Sequence, residues 1–154
     1  MFPDECADPG EPSDPEPYTD HYANIAITNR HLPNAQEETA SWVYLKEYEI
    51  HYTPVTQGTD IFLSSNVIPI TQIVGIAPCE LGATSCAALI FTAELVPVRE
   101  KTKLREQLLN NPTLEQLHYN VHYVFYGEND FGERVSADGF TDFYALDYLH
   151  CGGG

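Results

Sequence analysis

Three histidines, His51, His118 and His122, stand on stretches that alternate apolar and polar residues. Neutral imidazoles converging on one point would hold a transition metal. His118 and His122 are four residues apart, however, and four residues of extended strand span about 13 Å. They cannot share one ion, so each would need ligands from a neighbouring strand; exposed strand histidines account for them without a metal. Glu128, Asn129 and Asp130 offer hard oxygens to Ca2+ in a surface turn. The acid spacing and the glycine of an EF-hand loop are missing, so any calcium there would be held weakly. Asp138, Asp142 and Asp147 read as solvent-facing charges rather than an acid–base pair. The chain has no G-x-S-x-G elbow and no glycine-rich phosphate loop. These residues predict a protein that is not an enzyme and needs no cofactor.

The four cysteines, Cys6, Cys79, Cys86 and Cys151, form no C-x-x-C pattern, which argues against a zinc ribbon and haem attachment. An even number in an acidic, β-rich chain fits disulfides and an oxidising compartment. Of the three possible pairings, the favoured one joins Cys79 to Cys86 around Leu81-Gly82-Ala83 and Cys6 to Cys151, tying the two ends together. Free thiols are the alternative. No apolar run is long enough to span a bilayer. The start, Met1-Phe2-Pro3-Asp4-Glu5, has neither the basic end nor the apolar stretch of a signal peptide. The expectation is an extracellular or cell-surface protein in its mature form, the cytosol being the other reading.

The elements that must position these residues are strands. A chain of 154 residues with ten Tyr, seven Phe and a single Met has the size of one domain and a β-leaning composition. Its formal net charge of -16 excludes a nucleic-acid binder and an anionic membrane surface, both of which need basic residues. Residues 1–21 form an extended tail in which Pro3, Pro9, Pro12, Pro15 and Pro17 alternate with acids that include Asp8, Glu11, Asp14 and Glu16, with no Lys or Arg. Such a segment cannot bury enough apolar surface to offset its ordering entropy alone. Residues 22–151 are the folded domain and 152–154 a glycine tail. Strands are predicted over 23–28, from Trp42 to Thr53, over 61–63, over 67–74 with Pro69 marking an edge, and over 86–96 as a near-continuous apolar strand. In the second strand Trp42, Tyr44, Tyr48, Ile50 and Tyr52 share one face, interrupted by Lys46, while Glu47, Glu49, His51 and Thr53 point the other way.

A single helix is predicted over 98–109, with Leu104 and Leu108 as an i,i+4 apolar pair and Asn110-Asn111-Pro112 as its stop. Arg99, Lys101, Lys103 and Arg105 put four of the seven basic residues on it, a local reversal of sign that could receive an acidic tail. The closing stretch is a hairpin. Leu117, Tyr119, Val121, Tyr123 and Phe125 share one face of its first strand; Val135, Ala137, Gly139, Thr141, Phe143 and Ala145 share one face of its second. The link from Glu128 to Gly132 is the turn, with Gly132 free to take a positive φ. Seven or so strands with one short helix predict an all-β, antiparallel, immunoglobulin-like β-sandwich.

The segment Tyr123-Val124-Phe125-Tyr126-Gly127, Asp130-Phe131-Gly132-Glu133-Arg134-Val135-Ser136-Ala137-Asp138-Gly139 and Phe143-Tyr144 resembles the final hairpin of small immunoglobulin-like β-sandwich proteins exported by environmental Gram-negative bacteria, whose function is generally unassigned. The resemblance covers the last third of the chain well and the strands at Ala23 and Trp42 loosely. It implies fold and export, and no activity; the helix and the four cysteines depart from it. The functional expectation is a structural or interaction protein that pairs with copies of itself, a homo-oligomer or the subunit of an extracellular filament or surface assembly. It would be held by tail or strand exchange, with tail acids meeting Arg99, Lys101, Lys103 and Arg105, and with Cys6 and Cys151 linking neighbours. The alternative is a monomeric carbohydrate- or calcium-binding module that uses the tyrosines and the Asp130 turn.

Overall fold

A computed structural model describes residues 20–30, 41–56, 62–80, 82–111 and 116–146. Among these residues six strands and one helix follow in order: β1 His21–Ile27, β2 Val43–Pro54, β3 Asn66–Ile76, β4 Leu89–Val96, α1 Val98–Asn110, β5 Gln116–Asn129 and β6 Arg134–Leu146. They form two antiparallel sheets, one of two strands (β1-β4) and one of four (β3-β2-β5-β6). The larger sheet is centred on the long β2 and β5, whose alternating apolar rows bury Tyr48, Ile50, Tyr52, Leu117, Tyr119, Val121, Tyr123 and Phe125. The smaller sheet closes over that row with Ile27, Ala93 and Val96, and α1 adds Leu104 and Leu108. This is the two-layer arrangement that lets two half-apolar sheets hide their faces from water.

The inward row of β2 differs from the one expected. Leu45 is buried while Trp42 is exposed and Tyr44 half-buried, because Lys46 is an extra residue without a partner on either neighbouring strand. Such a bulge reverses the alternation on one side of it. Gly127 of β5 sits at this bulge. A Cβ there would lie 2.9 Å from the Tyr44 carbonyl oxygen and 2.9 Å from a Val43 methyl carbon, so only glycine lets the two backbones approach.

Other boundaries also shift. The fourth strand starts at Leu89 rather than Cys86, and it alternates: Ile90 and Thr92 are exposed while Ala93 is buried. Phe62 and Leu63 are not in a strand, and Ile61 lies outside the described residues. Pro69 does lie on an edge strand, β3. Helix and hairpin fall where the sequence places them, and Gly132 has φ 78° in the hairpin turn.

Cys79 and Cys86 form a disulfide. It closes a loop tied to the body through Asn29, whose carbonyl accepts the Cys79 N–H at 2.8 Å and whose side chain donates to Ser41 and Ile76 carbonyls. The bond fits an oxidising compartment. Cys6 and Cys151 lie outside the described residues, as do the tail acids Asp8, Glu11, Asp14 and Glu16. No helix among the described residues is long and apolar enough to cross a membrane.

Candidate interaction face

Beyond the bulge, β2 turns Glu47, Glu49, His51 and Thr53 to the outside, beside the even-numbered residues of β5 and β6. The cross-strand register then aligns His51, His122 and Phe140 in one row, and His118 with Tyr144 in another. His122 and Phe140 stack at 4.5 Å between ring centres with planes 4° apart; His118 and Tyr144 stack at 4.2 Å and 9°. The rings of His51 and His122 are 5.8 Å apart.

Each histidine also holds a carboxylate. His122 Nε2 is 2.6 Å from Asp138, His118 Nε2 is 2.9 Å from Asp142, and His51 Nε2 is 3.1 Å from Glu49. Phe140 remains 77% exposed and Tyr144 53%. Contacts of this kind at the surface add little net stability, so their main effect is to fix the orientation of the rings. No group of three or more His, Cys, Asp or Glu among the described residues is placed to hold a metal ion.

Ser65 Oγ stands 3.2 Å from His51 Nδ1, in line with Glu49 on the other ring nitrogen. Ser65 and His51 face open solvent.

β6 is the outer edge of this face. All thirteen of its residues pair with β5 without a register break, and it contains no proline. Among the described residues its other side has no strand beside it. The opposite edge, β3, carries Pro69, and residues 70–73 drop out of its ladder with β2, two features that blunt an edge. Near the bulge a shallow cleft of about 260 Å³ opens beside Lys46, Tyr126 and Arg134. Its arginine is already engaged, 4.4 Å over the Tyr126 ring and 3.3 Å from Glu47.

Protein-family models, curated proteins and solved structures were all compared with the chain. None matches.

The remaining candidates resolve individually. Arg99 and Lys103 both approach Glu100, at 3.6 and 2.9 Å, and Glu100 is buried at the start of α1. Lys101 lies near Asp20, whose carboxylate raises its pKa while burial, the larger effect, lowers it; Arg105 is half-buried. Arg99 and Lys103 therefore already meet a buried carboxylate within the fold. In the hairpin turn Asp130 accepts the Trp42 N–H at 2.9 Å and bonds the Tyr44 side chain. Asn129 Oδ1 accepts the N–H groups of Phe131 and Glu133. The Asp130 and Asn129 side-chain oxygens considered for calcium are thus engaged in holding the turn.

Of the tyrosines considered for a sugar-binding face, Tyr48, Tyr52, Tyr119 and Tyr123 are core. The sequence reading missed the stacked pairs His122/Phe140 and His118/Tyr144. The signal for them was present in the hairpin, because a turn at 130–133 fixes which residues lie opposite each other.

Proposed function

We propose that the protein is a non-enzymatic interaction protein of the cell exterior, a subunit of a filament or surface assembly in which an extended segment of a neighbouring copy adds to an open sheet edge. The regular, proline-free outer edge of β6, beside which no strand lies among the described residues, carries this reading. A row of open backbone N–H and C=O groups of that length is a template for another strand. The disulfide fits export. The two antiparallel sheets, β1-β4 and β3-β2-β5-β6, support an immunoglobulin-like reading in which β1 and β4 would stand for strands B and E, and β3, β2, β5 and β6 for C′, C, F and G.

The test is the size of the purified protein by light scattering and electron microscopy, for the full chain and for a chain shortened to begin at Asp20. Particles or fibres from the full chain support the reading, and their loss on shortening assigns the joint to residues 1–19. A full chain that stays monomeric at every concentration and pH ends it. The second reading, a monomeric carbohydrate-binding module, rests on the exposed rings of Phe140 and Tyr144 beside Asp138 and Asp142. Calorimetry with soluble oligosaccharides decides that one.

A further inference from the structure

We infer that the segment that adds to β6 is the β6 strand of a second copy, and that protonation of His118 and His122 switches this pairing on. The inference rests on the strand-addition part of that reading and names its partner and its control; a two-fold β6–β6 joint closes at a dimer, so a filament built from it needs a second contact.

Two observations narrow the occupant. The chain's own residues 1–20 carry seven acids, no Lys or Arg and five prolines. Proline donates no hydrogen bond to a ladder, and like charges opposite one another repel. That segment is a poor strand for an edge bearing Asp138 and Asp142. β6 contains no proline, and each of its two acids already lies against an imidazole. In an antiparallel pair of copies, all thirteen residues overlap only when the two-fold axis passes through residue 140, the midpoint of 134 and 146. Phe140 then faces Phe140 of the partner subunit, which covers the ring that is 77% exposed in the single chain.

The same register sets Asp138 opposite Asp142 of the partner subunit, and this happens twice by symmetry. At neutral pH these two acid–acid pairs oppose association, which is how an exposed edge is kept from pairing indiscriminately. Each of these carboxylates already touches an imidazole, Asp138 at 2.6 Å and Asp142 at 2.9 Å. A proton on each histidine turns the acid row into neutral pairs without moving a side chain. Among the described residues the other charged or titratable groups around the two rings are His51, which carries Glu49, and Tyr144, stacked on His118. His51 faces His122 at 5.8 Å between ring centres and lies 3.1 Å from Glu49.

The test is sedimentation or light scattering of the full chain between about pH 7.5 and about pH 5.5, with hydrogen exchange of the β6 amides. The expected result is association at least about tenfold tighter at the lower pH, with new protection along β6. Asp138→Asn with Asp142→Asn removes the repulsion and should associate at neutral pH. His118→Gln with His122→Gln should lose the pH response, and circular dichroism checks that both variants fold.

Association that ignores pH and both double variants overturns the switch and leaves strand addition standing. Association that follows pH without protection of β6, or that persists in the histidine variant, overturns this partner surface and points to the general loss of negative charge. A monomer under all conditions, including the asparagine variant, removes the parent reading as well.

Discussion

The hydroxyl of Tyr123 on β5 donates to the backbone carbonyl of Glu94 on β4 at 2.8 Å, and so joins one sheet to the other through a side chain. Two more tyrosines do the same beside it. Tyr52 donates to the Leu95 carbonyl at 2.9 Å, and the Tyr48 hydroxyl accepts the Glu94 N–H at 3.0 Å. Leu95 is the residue that a bulge leaves without a partner on β1, so its carbonyl needs a donor from elsewhere. Tyr123→Phe keeps the ring and orphans the Glu94 carbonyl. The expected loss is about 1–3 kcal/mol of unfolding free energy, read from the midpoint of a urea titration with an unchanged slope.

Burial of these phenols also sets an alkaline limit. Burial pushes Tyr119 up to about 12, and Tyr52 and Tyr123 higher still, the latter two helped by neighbouring ionisable groups. The folded chain keeps protons that the unfolded chain releases near pH 10. Their stabilisation is complete below that point and is lost as the pH rises through the folded values. Ultraviolet titration of tyrosinate should therefore show exposed phenols ionising first and the core phenols ionising only together with unfolding. A single titration near pH 10 for all tyrosines contradicts the packing.

Glu94 works in the same direction at lower pH. Its carboxyl is raised above the ordinary range, chiefly by burial and further by Asp20, with Arg99 opposing. Its Oε1 is buried without a hydrogen-bond partner among the described residues. The unfolded chain ionises this group first, so stability falls as pH rises from the ordinary glutamate value through the folded one. Glu94→Gln should flatten that part of the stability–pH curve and leave the variant at least as stable as the parent at neutral pH. A variant less stable at neutral pH, with its slope unchanged, would show that the charge is favoured where it sits.

Gly127 supplies a prediction about the bulge. Gly127→Ala places a methyl group 2.9 Å from backbone of β2, and the strands must part to admit it. Overpacking of this kind costs about 1–3 kcal/mol. Thermal unfolding should register it as a lowered Tm, with added exchange at the amides of Leu45 and Glu47. An unchanged Tm would mean that the bulge is softer than the close approach implies.

The strand rows of the hairpin, its glycine turn, the helix with its asparagine stop and the Cys79–Cys86 loop are all legible in the chain itself. Each depends on residues near one another in sequence: alternation sets the two faces of a strand, Gly132 alone accepts its φ, and a short cysteine loop has few ways to close. The inward turn of Leu45 in place of Tyr44 could not be read there. It arises because Lys46 has no counterpart on strands that arrive twenty and eighty residues later, and nothing local distinguishes a bulged residue from a paired one.

The candidate face divides in the same way. That His118 and His122 point away from the core follows from their parity. That Phe140 and Tyr144 lie opposite them follows from the hairpin register; that His51 joins the row of His122 and Phe140, and that β6 ends the sheet among the described residues, were settled only when the strands took their order. Alternation assigns a side chain to a face, but its neighbours on that face belong to other strands and are fixed by register, which is a property of the assembled sheet.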